Sequence, residues 1–245
     1  MSKAHVVISG GGTGVGAETA RQFAYAGYRV TILGRTEETL VAQGLPYQIC
    51  DVADALAVKT AFEKARKAQG PITIVVANAG AARSLPFAKM SAADLTAMTD
   101  VNLTGVFNVW QAALSDMKAA KSGRMIAIAS TAGLKGYPYV SGYCAAKHGV
   151  VGLTRALSLE LAATGITVNA ICPGFIETPL LERSIENIVS KTGMSAEDAA
   201  KSLSKGNPQR RFIQTDEVAA TALWLCSDVA RSINGHALSL SGGEI

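Results

Sequence analysis

The segment that most constrains the fold lies at the start of the chain, where an apolar run, a glycine cluster and a helical pattern follow one another. Ala4–Ser9 is predicted to be a strand, Gly10–Gly16 (G-G-G-T-G-V-G) a loop, and the residues that follow, through Ala26, a helix. A dinucleotide site requires this order, because glycines let the backbone approach a pyrophosphate and the helix N-terminus offers free N–H groups. The alternative is a glycine-rich turn without a ligand. The candidate cofactor-binding residues of the loop are Gly10, Gly12, Thr13, Gly14, Val15 and Gly16.

The rest of the chain alternates short apolar segments with helical ones, with no long linker or repeat. A continuous β-branched run such as Ile72–Ala77 is typical of a parallel strand that is buried on both faces. The other predicted strands are Arg29–Leu33, Tyr47–Cys50, Arg124–Ala129, Ile166–Cys172 and His236–Leu240. This alternation predicts one α/β domain over residues 1–245, a doubly wound parallel sheet of the Rossmann type with helices on both faces.

Two long helices are predicted in the second half of the chain. One runs from an N-cap at Ser91 to about Lys121 and ends at Gly123, and the other carries Tyr143 and runs to about Thr164. A later helix is predicted to be capped at Thr215. The segment of about residues 175–213 is charged and poor in strand signals, and we expect it to form a substrate lid.

Composition and charge exclude several classes of protein. Of the 245 residues, 49% are hydrophobic and 17% charged, so a sizeable core is expected rather than disorder. The net charge of +4 is not clustered, which argues against nucleic acid and suits an anionic ligand. There is no signal-peptide pattern and no apolar run near the ~20 residues of a membrane span, so we expect a cytoplasmic protein with no membrane partner. Four scattered cysteines and three distant histidines predict reduced thiols and no metal site.

Three further predicted strand ends carry candidate cofactor-binding residues. Arg35 follows the second strand, where an arginine accommodates the 2′-phosphate of NADP and an acidic residue would bind the free ribose hydroxyl of NAD. A solvated surface arginine is the alternative. Asp51 and Val52 follow the third strand, and Asp51 could receive the adenine amino group or belong to a helix cap near Asp54. The other candidates, after the fourth strand, are Asn78, Ala79 and Gly80.

Tyr143 and Lys147 form a candidate proton-transfer pair. At a spacing of four they share a helix face, and a nearby ammonium is expected to lower the pKa of the phenol. Ser130 follows the fifth strand, where its hydroxyl could hold a substrate oxygen. The pair alone is a weak signal, since a tyrosine and a lysine on an exposed helix usually only pack and solvate. All candidates, however, lie at carboxyl ends of strands or on the helix that follows, the edge where such sheets bind ligands.

These motifs together resemble the short-chain dehydrogenase/reductase family over nearly the whole chain. The resemblance implies four catalytic residues, Asn102, Ser130, Tyr143 and Lys147, of which Tyr143 and Lys147 would also contact the cofactor. It adds further cofactor-binding residues after the sixth strand, namely Pro173, Gly174, Ile176 and Thr178. The chain departs from the family pattern in having Ser9 for a usual threonine and Ala77 for a common asparagine. From the residues alone, Asn102 could also be a satisfied buried amide.

The resemblance implies hydride transfer between a nicotinamide cofactor, NADP with NAD as an alternative, and a ketone or secondary alcohol. Tyr143 would donate the proton, Ser130 would hold the oxygen, Lys147 would favour the tyrosinate and hold the ribose, and Asn102 would anchor a water. The stretch Tyr143–Pro179 is most similar to β-ketoacyl-thioester reductases.

Other assignments remain open from the sequence. The chain could be a secondary-alcohol dehydrogenase, a reductase of small or cyclic ketones, a cofactor-binding regulator or a methyltransferase. The apolar lid residues Leu180, Leu181, Ile185, Ile188 and Val189 could line a substrate pocket or pack as ordinary core. The family resemblance also implies a homotetramer that pairs through the two long helices.

Overall fold

A seven-stranded parallel sheet organises the structure, a computed structural model that describes residues 4–245; residues 1–3 of the predicted domain lie outside the described residues. The strands are β1 (His5–Ser9), β2 (Arg29–Gly34), β3 (Tyr47–Ile49), β4 (Ile72–Ala77), β5 (Gly123–Ile128), β6 (Ile166–Pro173) and β7 (Ala237–Leu240). Their order is β3-β2-β1-β4-β5-β6-β7. Because β1 pairs with both β2 and β4, the order reverses between β1 and β4, and a crevice is expected beyond the carboxyl ends there. The predicted doubly wound sheet is confirmed.

Nine α-helices connect the strands within residues 4–245. They are α1 (Gly14–Tyr25), α2 (Glu37–Val41), α3 (Ala55–Gln69), α4 (Ala92–Thr99), α5 (Gly105–Ala120), α6 (Ser141–Leu161), α7 (Pro179–Thr192), α8 (Ala196–Ser204) and α9 (Thr215–Leu225). Short 3₁₀ turns lie at Phe87–Lys89, Thr131–Gly133, Ala162–Thr164 and Asp228–Ala230. No helix of this part of the chain is both long enough and apolar enough to cross a membrane.

The sheet separates two apolar layers, as the alternation of side chains along a strand requires. Val7 faces the layer built with α3, α5 and α6, where Phe62 and Trp110 are fully buried. Val6 and Ile8 face the opposite layer, built with α1 and α9. Both faces of the central strands are therefore covered, which explains their continuous apolar runs. The four cysteines are buried free thiols, in agreement with the prediction.

Three local predictions were wrong. The helix expected from Ser91 to Lys121 is interrupted by a π-helical segment, Asp100–Thr104, so Asn102 lies in a widened turn rather than in regular α-helix. That helix ends at Lys121, whose φ of 50° places it in the left-handed region, and Gly123 already belongs to β5. Helix α9 is capped by Gln214 and Glu217 in a capping box, not by Thr215. The Ser91 cap of α4 is confirmed, also as a capping box.

Candidate active site

The glycine loop between β1 and α1 is shaped by close backbone contacts. Gly10 and Gly14 have positive φ values of 66° and 53°. A Cβ on Gly16 would lie 2.1 Å from the Gly10 carbonyl oxygen, so a larger residue cannot occupy that position without moving the loop. Thr13 precedes α1 and, among residues 4–245, its side chain forms no capping hydrogen bond. The first N–H groups of α1 therefore remain available to an anion. Val15 packs into the core, and Gln43 Nε2 donates to the Gly12 carbonyl at 2.9 Å.

The end of β4 is fastened to the end of β1 by hydrogen bonds. The backbone N–H groups of Asn78 and Ala79 both donate to Ser9 Oγ at 3.0 Å, and Asn78 Nδ2 donates to the Ser9 carbonyl at 3.0 Å. Ser9, a departure from the family pattern, thus keeps a hydroxyl where the geometry uses one. Gly10 is pressed against this segment, since a Cβ there would lie 2.9 Å from Ala79 Cα.

Arg35 and Asp51 lie together at the carboxyl ends of β2 and β3. Arg35 Nη1 is 4.0 Å from Asp51 Oδ2, and the Arg35 side chain is 73% exposed. Asp54, not Asp51, caps α3, because its carboxylate accepts from the N–H groups of Leu56 and Ala57. Asp51 Oδ1 accepts a hydrogen bond from a backbone N–H in the loop between β3 and α3. The second carboxylate oxygen of Asp51 faces Arg35. Val52 is buried, and a Cβ on Gly105 of the long helix would lie 2.6 Å from its side chain.

Ser130, Tyr143 and Lys147 meet beyond the end of β5. The Ser130 hydroxyl lies near the Tyr143 phenol, which is on the first turn of α6, and it favours the ionised form of that phenol. One turn later, Lys147 is 3% exposed, its Nζ donates to the Ile128 carbonyl at 2.8 Å, and it lies 5.6 Å from the centre of the Tyr143 ring. The spacing of four therefore places the two side chains on one helix face, directed at the strand end that carries the serine.

The electrostatics of this group differ from the expectation in one respect. The predicted lowering of the Tyr143 pKa was wrong: burial raises the pKa of Tyr143 to about 12, although the nearby Ser130 hydroxyl opposes the shift. Burial lowers the pKa of Lys147 to about 8. At neutral pH the phenol therefore holds its proton, which suits a proton donor.

Asn102 connects the π-helical segment to the loop after β4. Its Nδ2 donates to the carbonyls of Ala81 and Met98, at 2.8 and 2.9 Å, and its Oδ1 accepts from Ala81 N at 3.3 Å. The side chain is thus a satisfied buried amide, one of the alternatives open from the sequence. It also borders the site, because a Cβ on Gly80 would lie 2.8 Å from Asn102 Oδ1 and 3.8 Å from Lys147 Nζ.

The segment after β6 brings the start of the predicted lid close to the glycine loop. Pro173 ends β6, Gly174 donates to the Leu240 carbonyl at 2.9 Å, and Ile176 forms a parallel bridge with Ile213. Thr178 is the N-cap residue of α7, and its Cγ2 lies 3.4 Å from where a Cβ on Gly14 would be. The sequence-predicted site residues therefore lie at the carboxyl ends of the parallel strands or on the segments that follow them.

Sequence reasoning missed some residues that hold this site. The Ile128 carbonyl, which binds Lys147, and Gln43, which binds the glycine loop, have no motif of their own. Glu244, close to the C-terminus, was also missed. Its one sequence signal is an acidic residue directly after Gly242-Gly243.

Comparison with known proteins agrees with this geometry. The family model described as short chain dehydrogenase matches residues 4–189. The chain belongs to the short-chain dehydrogenase family. It is accordingly an NAD(P)-dependent oxidoreductase, as the sequence predicts.

Individual members of the short-chain dehydrogenase family are similar over their full length. A Streptomyces violaceoruber protein named as ketoacyl reductase 1 of the granaticin polyketide synthase is 37% identical, covering 99% of this chain and 93% of its own. D-beta-hydroxybutyrate dehydrogenase of Cupriavidus necator is 33% identical, with 98% and 96% covered. A crystal structure of a substituted actinorhodin polyketide ketoreductase with NADPH superposes with a TM-score of 0.93 at 34% identity, with 100% and 99% covered.

Proposed function

We propose that this short-chain dehydrogenase reduces the ketone of a 3-oxoacyl thioester, with Tyr143 as the proton donor. The observation that carries the proposal is the grouping of Ser130, Tyr143 and Lys147 beyond the end of β5, where Lys147 Nζ lies 5.6 Å from the centre of the Tyr143 ring. The granaticin protein and the actinorhodin ketoreductase, named for the same chemistry, support the substrate class. The NAD(P) cofactor would supply the hydride.

The residues of the crevice fit such a cofactor. The uncapped start of α1 and the glycine loop suit a pyrophosphate, because N–H groups and the positive end of the helix dipole face the anion. Lys147, with Asn102 and Gly80 beside it, would hold the ribose near the reacting end. Thr178, next to Gly14, would hold the carboxamide.

The protein's own groups would then manage the developing charge. As negative charge grows on the ketone oxygen, Tyr143 gives up its proton to it and Ser130 keeps the oxygen in place by a hydrogen bond. The buried ammonium of Lys147 stabilises the tyrosinate that remains. Asn102 would anchor a water near Lys147, through which Tyr143 regains a proton.

A substrate comparison tests the proposal. Acetoacetyl-CoA and free ketones of matched reactivity, including a cyclic one, should be compared by kcat/KM with both reduced cofactors. We expect the thioester to be preferred. A higher value for the free ketones would make the chain a secondary-alcohol dehydrogenase or ketone reductase instead, a class that the hydroxybutyrate dehydrogenase relative favours. If the wild type turned over no ketone yet bound reduced cofactor, a cofactor-binding regulator would be the better assignment.

We infer a preference for NADP(H) over NAD(H) from Arg35. Its largely exposed guanidinium lies beyond the carboxyl end of β2, where it would form charge-assisted hydrogen bonds with the 2′-phosphate of a bound NADP(H). Arg35→Ala should lower kcat/KM with NADPH by about tenfold and leave NADH nearly unchanged. Arg21→Ala, which removes an exposed arginine paired with Glu18, is the matched control. An unchanged NADPH preference in Arg35→Ala would refute the assignment.

We also propose that the chain forms a homotetramer through its long helices. Ala145, Gly152 and Ala156 lie exposed along one face of α6, whereas Gly149 packs within the chain against Leu103. Small exposed residues permit close helix approach between subunits. Gly152→Arg should lower the mass seen by light scattering without unfolding the chain, because the Cβ position has no described atom within 4 Å. A monomeric wild type at micromolar concentration would contradict the proposal.

A further inference from the structure

The C-terminal residues after β7 fold back into the protein. Gly242 and Gly243 have φ values of 62° and 93°, conformations that glycine adopts readily and other residues rarely do. They turn the chain so that the Glu244 side chain, only 7% exposed, enters the protein interior. A carboxylate so placed needs charged or hydrogen-bonding partners, because burial without them is costly.

The partners of Glu244 come from the loop that follows Ser130. Lys135 Nζ and the Tyr137 hydroxyl each lie 2.7 Å from Glu244 Oε1. The carboxylate accepts from Tyr137, so the Thr131 hydroxyl, 2.8 Å away, donates to the phenol oxygen. The Tyr137 ring also packs edge-on against Phe175, with ring centres 6.4 Å apart, and Phe175 begins the lid.

The opposite side of the carboxylate borders both ends of the lid. A Cβ on Gly206, at the end of the lid, would lie 3.0 Å from Glu244 Oε1, and one on Gly174, just before it, 3.6 Å from Oε2. The turn at Gly242 packs closely against Asn207 of the predicted lid, because a Cβ on Gly242 would lie 2.0 Å from Asn207 Oδ1. One carboxyl group therefore bonds to the loop after Ser130 and lies beside Gly174 and Gly206, which border the predicted lid segments.

We propose that Glu244 is a positioning residue whose carboxylate, with Lys135 and Tyr137, forms a latch that holds both ends of the lid against the loop after Ser130. We name these three residues the C-terminal latch. The latch sets the width of the opening through which the acyl part of the substrate enters. Its kinetic consequence rests on the proposed function, whereas its effect on lid order does not.

Hydrogen exchange in the cofactor-bound protein tests the latch directly. Glu244→Gln keeps the shape and an acceptor for Tyr137 but removes the ion pair with Lys135. Amides of α7 and α8 should exchange at least about tenfold faster than in the wild type, while those of α1 and β4 stay unchanged. The matched control is Glu186→Gln, an exposed acid on α7, which should change neither region. The double variant Glu244→Leu with Lys135→Met, which replaces the ion pair with apolar groups, should restore part of the protection.

Steady-state kinetics separates positioning from general stability. For Glu244→Gln we expect KM for a long acyl thioester to rise by about tenfold, with a smaller change for a small ketone and unchanged cofactor affinity. If lid amides of Glu244→Gln exchanged at the wild-type rate, the proposed latch would be refuted. Faster amide exchange spread evenly over the whole chain would refute it as well. If the wild type turned over no ketone, the proposed function would fail and the exchange result would still decide the latch.

Discussion

Helix α6 and the helices α7 and α8 of the predicted lid are held in different ways. Nine residues of α6 are buried, including Val150, Leu161 and the lysine of the candidate active site. In the described chain, α7 buries only Leu181 and α8 only Ala199. The helix that carries Tyr143 and Lys147 is thus fixed by the core, while α7 and α8 bury few residues.

This difference teaches where each property of the enzyme resides. A helix buried along its length opens only with the whole domain, whereas a segment with few buried apolar contacts can open locally at a small cost in free energy. The proposed chemistry depends on the positions of Tyr143 and Lys147 on α6 relative to Ser130 at the end of β5. The lid can move and vary without disturbing them, so we assign substrate selection to residues of about 175–213. The half-buried Leu180, Ile185, Ile188 and Val189 are available for that role.

The largest effect is expected on α6. Tyr143→Phe removes the proton donor and little else, so turnover should fall by ~10²–10⁴-fold or more while cofactor affinity is retained. Turnover and cofactor fluorescence measure the two quantities. Tyr25→Phe, at a tyrosine that is 96% exposed, is the matched control and should behave as wild type. A Tyr143→Phe enzyme with a large fraction of normal activity would remove Tyr143 from the mechanism.

A pair of leucine truncations sharpens the contrast in packing. Leu161→Ala in α6 should lower the free energy of global unfolding by about 2–5 kcal/mol, because the surrounding core cannot fill the cavity. Leu181→Ala in α7 should cost clearly less in global stability and should instead speed amide exchange within the lid. Denaturant unfolding and hydrogen exchange measure the two effects. Equal losses in the free energy of global unfolding of the two variants would show that the lid belongs to the same cooperative unit as α6.

The smallest effect expected is a few-fold change of kcat with pH, which we assign to Lys147 on α6. Lys147, with its pKa lowered to about 8, keeps its charge below that pH and loses it as the pH rises further. The stabilisation of the tyrosinate is lost with it, so kcat for ketone reduction should be level below about pH 8 and decline above. The arginine of Lys147→Arg cannot lose its charge, so the decline should disappear whatever the absolute rate. If kcat of Lys147→Arg still declined at high pH, the decline would have to be assigned to a group other than Lys147.

Much of the site was predictable because its signals are short in sequence. The four-residue spacing of Tyr143 and Lys147 fixes their common helix face, and the loop Gly10–Gly16 requires backbone conformations that few other residues adopt. The ends of the apolar runs predicted the ends of the strands. Because the sheet is parallel, the carboxyl ends of its strands all lie at the same edge. Asp54 as a helix cap follows from the same local logic.

Other features were decided by the tertiary structure. The π-helical turn at Asn102 forms where that side chain donates to the Ala81 carbonyl, and the sign of the Tyr143 pKa shift depends on how deeply the ring is buried. Glu244 reaches Tyr137 across 107 residues of sequence. Spacing and residue type determine local conformation, since they act through neighbouring backbone atoms. Burial, and contacts between distant segments, exist only once the chain has closed its core.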